Sequence, residues 1–256
     1  MLKMGPGRRD RLISVLSPLL LLGIWELSAR LGLIDTRFFP APITILHTLI
    51  GLMDSGVLWI NTWTSLQRLF WGFLLGGIPA LVLGVVMGLS RLIRAAIDPL
   101  IAATYPIPKS AILPLILLIF GLGEGSKIVM VAIGVFYPIC INAVAGVLEI
   151  NKIYLDVGKN FQAGRWQMFR TIALPGALPF IMSGIKLGVG MGLILIAIAE
   201  MIGAKSGLGY MIWNAWEILS VDTMYVGLIM IAVIGYLFSL ILNELERWII
   251  PWKVEH

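Results

Sequence analysis

Four polar side chains inside long apolar stretches are the residues of this sequence best placed to do chemistry. They are Lys109, Asn142, Lys186 and Glu200. A charge in an apolar medium is costly, so charged residues in such stretches are functional candidates by default. A buried lysine could bind an anionic solute, and a buried carboxylate could pair with a cation or cap a gate. These four residues form our candidate solute path.

Each of the four residues also has a purely structural interpretation. For Asn142 we favour a hydrogen bond to a neighbouring helix, and for Lys186 a side chain that extends to the nearby membrane surface. Glu200 could equally be an interfacial carboxylate. Lys109 could also extend to the membrane surface. It is the strongest candidate, because it lies near mid-membrane in a predicted helix, at about 1.5 Å of rise per residue, and that depth makes the surface hard to reach. The adjacent Pro106 and Pro108 should bend that helix and leave carbonyls without partners.

The sequence gives little support for catalytic chemistry. The nearest match to a phosphate-binding loop, residues 121–127, has Ser and Lys in the wrong order and no preceding strand. Two histidines and one cysteine, Cys140, disfavour a metal site of zinc type. We therefore predict no enzyme activity and no cofactor in this chain. Energy for uphill transport would come from a partner or from an ion gradient.

The composition indicates lipid as the solvent. Of the 256 residues, 59% are hydrophobic and 13% are charged, and the net charge is +5. A soluble domain carries about 25% charged residues, and a fold of this size could not hide so much apolar surface from water. Basic loops of a membrane protein explain the positive charge better than a nucleic-acid-binding surface does. We predict an all-α polytopic membrane protein with a single transmembrane domain over residues 1–256.

Six segments are long and apolar enough to cross a membrane as helices. They are residues 12–29, 69–89, 99–120, 128–148, 180–202 and 224–245. We interpret the first as an uncleaved span, because no small-x-small cleavage site follows it. The connection at residues 32–68 contains an amphipathic stretch, 43–53, that could lie along the membrane surface. The connection at residues 149–179 is the most polar part of the chain.

The distribution of basic residues predicts that both termini are cytoplasmic. With the N-terminus inside, twelve lysines and arginines fall on cytoplasmic segments and five on outer segments, which is the bias that membrane proteins show. The cytoplasmic set is Lys3, Arg8, Arg9, Arg11, Arg91, Arg94, Lys152, Lys159, Arg165, Arg170, Arg247 and Lys253. The outer set is Arg30, Arg37, Arg68, Lys127 and Lys205. This orientation places the loop at residues 149–179 in the cytoplasm.

Glycines recur at helical spacing along the predicted spans. The sets are Gly72 and Gly76, Gly84 and Gly88, and Gly184, Gly188 and Gly192. Small residues at this spacing let two helix backbones approach closely. Packing within one chain is favoured over a seam between two copies, and both could hold.

The cytoplasmic loop at residues 149–179 has the pattern of two short helices separated by Gly164. Three residues of the second helix share one face. They are Trp166, Phe169 and Arg170. We expect Leu174-Pro175 to end this helix, because a residue before proline avoids the α region. A short helix with an aromatic face suits insertion into a groove on another protein, and an interfacial helix on lipid is the alternative.

The same loop resembles the EAA loop in the membrane subunits of binding-protein-dependent ABC importers. The family pattern is Glu-Ala-Ala, three residues, Gly, nine residues, Ile, one residue and Leu-Pro. In this sequence it falls on Asp156-Val157-Gly158, Gln162, Ile172 and Leu174-Pro175. Gln162 stands where the family has glycine, and Gly164 could take over the turn. The runs Arg165-Trp166 and Phe169-Arg170 are similar to the nitrate, sulfonate and taurine branch of the family.

Further runs in the same order extend this resemblance from about residue 12 to residue 252. They are residues 106–108, 119–127, 136–139, 199–204, 206–210 and 245–248. The resemblance implies a type I ABC importer permease fold with six transmembrane helices, in the inner membrane of a prokaryote. It implies cytoplasmic ATPase subunits that bind ATP and Mg, and an external solute-binding protein. It also implies a second copy of this chain or a similar permease.

The resemblance assigns an ATPase-coupling loop to ten residues of this chain. They are Asp156, Gly158, Gln162, Gly164, Arg165, Trp166, Phe169, Arg170, Leu174 and Pro175. The implied function is a translocation path for a small anionic solute of the nitrate, sulfonate, taurine or bicarbonate type. The alternative is a secondary transporter or channel driven by an ion gradient, which commonly uses intramembrane carboxylate relays. The few carboxylates inside the predicted spans count against that alternative.

Overall fold

The computed structural model describes residues 8–252, and these residues form a bundle of helices. The helices are α1 (Arg8–Arg30), α2 (Pro42–Asp54), α3 (Val57–Leu89), α4 (Arg91–Thr104), α5 (Leu113–Phe120), α6 (Glu124–Leu148), α7 (Lys152–Asn160), α8 (Arg165–Met168), α9 (Leu174–Met201), α10 (Leu208–Glu217) and α11 (Val221–Ile249). A 3₁₀ turn, Lys109–Ile112, precedes α5, and a π turn, Phe169–Ala173, connects α8 to α9. No strand occurs between residues 8 and 252, which agrees with the all-α prediction. Lys3 and Lys253, counted above for orientation, lie outside the described residues.

Four described helical segments are long and apolar enough to cross a membrane. They are Val57–Leu89, Glu124–Leu148, Trp166–Met201 and Val221–Ile249. The pair formed by α4 and the segment Lys109–Phe120 could make a fifth span, bent by 87° at its break. The span predicted at residues 12–29 lies within α1, which is not in this group. Six spans and cytoplasmic termini therefore stay predictions.

Helix α3 is longer than the span predicted at residues 69–89. It begins at Val57, so the connection predicted at 32–68 contains α2 and the first turns of α3. Polar residues made this stretch resemble a loop, but Asn61, Ser65 and Arg68 are buried against other helices. Helix α2 agrees with the amphipathic stretch expected at residues 43–53.

The segment predicted as one span at residues 99–120 is broken into two helical parts, and the bend expected at its prolines is present. Helix α4 ends at Thr104, and the chain turns by 87° before the segment that begins at Lys109. Pro106 and Pro108 lie at this break. Neither proline has a backbone N–H to donate, so the helical hydrogen bonds cannot continue through them.

The expected helix end at Leu174-Pro175 is wrong. The helical path is continuous from Trp166 to Met201, and so the span predicted at 180–202 begins earlier. Pro175 lies in the first turn of α9, where the missing N–H is least costly. The wider π turn before it lets the chain pass from the loop into α9 without a break.

Helix α6 lies at the centre of the bundle, packed between α3 and α9. Glycines on these two neighbours face α6 and permit the close approach. A Cβ atom built on Gly76 would lie 2.1 Å from the carbonyl oxygen of Ala132, and one on Gly184 would lie 2.9 Å from that of Pro138. Glycines at this spacing therefore pack helices of one chain against each other, which agrees with the favoured interpretation.

Candidate functional site

The loop at residues 149–179 presents apolar side chains away from the bundle. Helices α7 and α8 are its two short helices, joined by a turn at residues 161–164. Phe161 is 83% exposed and Trp166 is 70% exposed, and Tyr154 and Val157 are exposed as well. Tyr154, Val157 and Phe161 lie outside the candidate spans, so lipid tails do not explain these three side chains, whereas Trp166 is the first residue of a candidate span. An exposed apolar cluster of this kind is typical of a surface that contacts another protein.

Trp166 and Phe169 form an aromatic pair at the end of the loop. Their ring centroids are 5.5 Å apart, within the range of a favourable aromatic contact. Trp166 projects outward, whereas Phe169 is half-buried and Arg170 is exposed. Arg165 is the first residue of α8. The structure therefore places the predicted coupling residues on one continuous segment that leads through Leu174 and Pro175 into α9.

Gly158 is the point where α7 meets the following segment. A Cβ atom at this position would lie 2.2 Å from the Met168 sulfur and 2.8 Å from Cδ1 of Ile172. A larger residue would push both side chains away, so glycine fits the crossing. Asp156, two residues earlier, is exposed and lies 3.4 Å from the Lys159 ammonium. An exposed ion pair of this kind contributes little to stability.

Lys109 closes the break between α4 and the 3₁₀ turn. It is only 9% exposed, and its ammonium donates to the carbonyl oxygens of Thr104 at 3.2 Å, Tyr105 at 2.7 Å and Ile107 at 2.8 Å. Its nitrogen also lies 4.2 Å from the ring centroid of Tyr137. The carbonyls expected to be free near the prolines are thus bound by this lysine. Its three donors are all used, and a role in the solute path stays a prediction.

Asn142 donates within its own helix, so the hydrogen bond between helices that was favoured for it is not seen in the described part of the chain, whereas Lys186 binds a neighbouring helix. The Asn142 side chain donates to the carbonyl oxygen of Pro138 at 2.8 Å, within α6 itself. The Lys186 ammonium donates to Asn243 Oδ1 at 2.6 Å and to a carboxylate oxygen of Glu246. Lys186 therefore links α9 to α11 close to the end of α11 at Ile249, and its extension to the membrane surface stays a prediction.

Glu200 is fully buried at the centre of a polar cluster that joins α3, α9 and α10. Its carboxylate accepts hydrogen bonds from the Ser65 hydroxyl at 2.7 and 2.9 Å and from the Arg68 guanidinium at 2.8 Å. It also accepts from the backbone N–H of Gly209 at 3.0 Å. The proposed pairing with a cation is present, and the partner is Arg68. Glu200 is completely buried among the described residues, and its depth relative to the membrane surface stays a prediction.

The first turn of α10 is held by side chains of α3. Asn61 Oδ1 accepts from the N–H of Gly207 at 2.8 Å, and Ser65 Oγ accepts from that of Leu208 at 2.8 Å. The Glu200 carboxylate accepts from the next backbone N–H, that of Gly209. The N-terminus of a helix carries unpaired N–H groups and partial positive charge, so this arrangement is favourable. Gly207 is needed there, because a Cβ atom would lie 2.3 Å from the Glu200 carboxyl carbon.

Arg68 extends the cluster to α6. Its guanidinium makes two hydrogen bonds of 2.6 Å to Glu124, at the start of that helix, and one of 2.7 Å to the carbonyl oxygen of Ser206. Arg68 is 3% exposed, whereas the Glu124 side chain is 65% exposed. The buried cation is therefore balanced by one buried and one exposed carboxylate.

With this geometry established, comparison with known proteins identifies the family. Residues 80–253 match the family described as the binding-protein-dependent transport system inner membrane component. The chain belongs to that family. It is an ABC permease of the taurine and sulfonate branch, and a multi-pass protein of the prokaryotic inner membrane. The resemblance found in the loop sequence is confirmed.

Two relatives align with this permease over nearly its whole length. The taurine transport system permease TauC of Escherichia coli is 35% identical, over 98% of this chain and 93% of the relative. A Bacillus subtilis protein named as an aliphatic sulfonates transport permease, SsuC, is 32% identical, over 97% and 91%. A chain from the inward-facing MetNI methionine ABC transporter superposes with a TM-score of 0.66 at 19% identity, over 77% of this chain and 97% of that one. That likeness shows a shared fold.

Sequence reasoning about this permease missed the partners of Glu200. Arg68 and Lys127 were counted as loop cations, yet both are buried. Lys127 donates to the carbonyl oxygens of Leu122, Gly123 and Gly203, and so ties the start of α6 to the end of α9. One signal was available for α3. Asn61, Ser65 and Arg68 follow the i, i+4, i+7 spacing of a single helix face.

The family glycine position of the loop is strained in this permease. Gln162 adopts a φ of 53°, in the left-handed region that glycine tolerates best. Gly164 has no positive φ, so the expectation that it takes over the turn is wrong. A residue other than glycine in this region costs about 1–2 kcal/mol. The motif needs glycine here because the backbone turns left-handed, and glutamine keeps the turn at that cost.

Gln162→Gly is expected to stabilise the loop locally by about 1 kcal/mol, because glycine removes the left-handed strain but adds freedom to the unfolded chain. The measurement is hydrogen exchange of the amides between residues 158 and 168, which should slow by about fivefold. Gln167→Gly is the matched control. Gln167 lies in α8, where glycine is about 1 kcal/mol less favourable than a helix former. Faster amide exchange in Gln162→Gly than in the wild-type protein would contradict the claim that Gln162 is strained.

Proposed function

We propose that this permease is the membrane subunit of an ATP-driven importer for small sulfonates of the taurine type. The family description supports delivery of the solute by an external binding protein. The names of the relatives, for taurine and for aliphatic sulfonates, support the solute class. In this proposal ATP and Mg bind to separate cytoplasmic ATPase subunits, and the permease contributes the path and no catalytic group.

The observation that carries the proposal is the loop at residues 149–179. Phe161 is an exposed apolar group outside the candidate spans, and Trp166 is an exposed one at the first residue of a candidate span. A groove on each ATPase subunit would cover both. The segment behind them is helical without a break from Trp166 to Met201. Movement of the loop would therefore be transmitted along α9 to Lys186 and Glu200.

We further propose that two copies of the permease, or this chain and a similar one, form the path between them. Each copy would alternate between inward-open and outward-open states. Closure of the two ATPase subunits on ATP would draw the paired loops together and favour the outward-open state. Moving such an equilibrium from 1:99 to 99:1 requires about 5.5 kcal/mol of differential binding, and two ATP molecules at a closing interface could supply this amount.

The test is removal of the aromatic pair by Trp166→Ala together with Phe169→Ala. We expect the ATPase to dissociate from the double variant, or its solute-stimulated hydrolysis to fall at least tenfold, because the apolar anchors are lost. The measurement is native mass spectrometry of the purified complex, with hydrolysis assayed in parallel. The wild-type complex should contain two permease chains and two ATPase chains.

The matched control is Trp213→Ala together with Trp216→Ala. These tryptophans form a closer aromatic pair, with ring centroids 4.7 Å apart, but they lie on α10, at the end predicted to be outside. This control should keep its ATPase. Full occupancy and normal hydrolysis in the Trp166 and Phe169 variant would refute the assignment of the coupling loop. A single permease chain per complex would refute the proposal that two permease chains form the path.

A further inference from the structure

A small cavity lies between α9 and α11 beside Lys186. Its volume is about 100 Å³. The lining residues are Lys186, Val189, Gly190, Leu193, Gly235, Phe238, Ser239 and Leu242. Lys186 lies in the middle third of α9, so the cavity is within a candidate membrane span. A cation beside open space at this depth is unusual, because charges within spans normally have a functional reason.

Two glycines leave this space open. A Cβ atom on Gly190 would meet no atom within 4 Å, and one on Gly235 would meet only Cδ1 of Leu193, at 3.4 Å. Most glycines of α9 instead lie in close contact with α6, as Gly184 does. Gly190 and Gly235 are therefore not required for packing within the chain. Their effect is to widen the cavity by the volume of two side chains.

Unused polar groups face the cavity. A lysine ammonium has three N–H donors, and two of those on Lys186 bind Asn243 and Glu246. The third has no acceptor among residues 8–252. The Ser239 hydroxyl also makes no hydrogen bond to any described residue. A polar group inside a membrane needs a partner, and an oxyanion could accept from both.

The remaining walls of the cavity are apolar. Val189 and Leu193 line it from α9, and Phe238 and Leu242 from α11. A ligand that fits both kinds of wall has an oxygen-rich anionic head and a short aliphatic body. We infer that this cavity is a transient subsite for an alkyl sulfonate in passage, with Lys186 as its anion-binding group. The inference rests on the proposed function and adds a specificity-determining site to it.

Glu246 explains why such a subsite would release its ligand. Its carboxylate lies against the Lys186 ammonium, so an incoming sulfonate meets a lysine whose charge is already partly balanced. Passage through a membrane requires sites that bind firmly enough to admit a solute and weakly enough to release it. The amino group of a zwitterionic sulfonate such as taurine would in turn be attracted to Glu246.

The other candidate path residues fit this role less well. All three donors of the Lys109 ammonium bind backbone carbonyls. Glu200 is saturated by Ser65, Arg68 and Gly209, and it borders a void of about 10 Å³. That void could hold about one water molecule. Lys186 differs from both because it combines an unused donor with space for a solute.

The experiment measures uptake into proteoliposomes by the complete complex of permease, ATPase and binding protein. The probes are taurine, ethanesulfonate and butanesulfonate. Lys186→Met should lower uptake of all three at least tenfold, because it removes the anion-binding charge at nearly constant length. Gly190→Val should lower the ratio of butanesulfonate to ethanesulfonate uptake at least fivefold, because it fills the apolar part of the cavity. Lys205→Met and Gly23→Val are the matched controls, on an exposed loop lysine and an uncrowded glycine of α1.

The ratio of butanesulfonate to ethanesulfonate uptake distinguishes a solute-binding subsite from a purely structural role of the bonds that Lys186 makes to α11. It does not depend on the amount of folded complex, and Gly190→Val leaves Lys186, Asn243 and Glu246 in place. An unchanged ratio in Gly190→Val, or normal uptake in Lys186→Met, would overturn the subsite while the proposed function stands. If the wild-type complex moves none of the three sulfonates, both the proposed function and the subsite fail.

Discussion

Arg68→Met is expected to destabilise this permease by about 3–5 kcal/mol, the cost of removing one partner from a buried ion pair. The reason is that Glu200 is fully buried and depends on Arg68 for its balancing charge. Without the guanidinium, Glu200 keeps only the bonds from Ser65 and Gly209. Thermal unfolding of the purified protein in detergent measures the effect. The midpoint should fall by roughly 10 °C, at about 2–4 °C per kcal/mol for a chain of this size.

Arg37→Met is the matched control for that experiment. Arg37 also pairs with a carboxylate, Asp35, at 2.8 Å, but both side chains are exposed, and such a pair contributes about 0–1 kcal/mol. A second comparison adds Glu200→Gln to Arg68→Met, which removes the buried charge that lost its partner. This double variant should recover part of the lost stability. If Arg68→Met unfolds at the same temperature as Arg37→Met, the cluster does not stabilise the fold.

The polar cluster was only partly predictable from the sequence. The cost of a buried charge marked Glu200 as functional or paired, and it is paired. Its partner, Arg68, was missed because the limits of the spans were set by apolar content. That criterion places the start of α3 at Leu69, whereas the helix begins at Val57. A polar stripe on a buried helix face resembles a loop when only the average hydropathy is considered. The spacing of Asn61, Ser65 and Arg68 held the correct information.

The helix breaks show a second limit of the sequence. Pro106 and Pro175 both predicted points where a helix should bend or end, since a proline has no backbone N–H to donate. At Pro106 the chain turns sharply, and Lys109 binds the carbonyls that are left free. At Pro175 the helix continues, because the proline falls in the first turn of α9. The residue type predicts a missing hydrogen bond, and the surrounding structure decides whether the chain breaks.

The loop at residues 149–179 was the best predicted part of the site. Its two short helices and the outward position of Trp166 follow from local patterns, whereas the half-burial of Phe169 and the continuation of the helix past Pro175 depend on the packing around them. The left-handed turn at Gln162 could not be read from this residue, which rarely adopts that conformation. The motif position pointed to it, because the family has glycine there. The cavity beside Lys186 was beyond prediction, because it depends on which faces of α9 and α11 meet.

Gly76→Ala is expected to have the next largest effect on stability. The added methyl carbon would lie 2.1 Å from the carbonyl oxygen of Ala132 and 2.7 Å from its Cα. These are backbone atoms of α6, the central helix, so no side-chain rotation relieves the overlap. Inserting atoms into a packed core costs about 1–3 kcal/mol, and occasionally more. Because α3 and α6 must separate along their length, we expect about 3 kcal/mol, measured by the same thermal unfolding in detergent.

Gly125→Ala provides the matched control on α6 itself. A Cβ atom there would meet no atom within 4 Å, and alanine is a better helix former than glycine by about 1 kcal/mol. The same substitution should therefore stabilise the protein at residue 125 and destabilise it at residue 76. A seam between two copies predicts something else, because Gly76 would then matter only in the assembled pair. Equal stability of Gly76→Ala and wild type in the separated permease would favour that seam over packing within the chain.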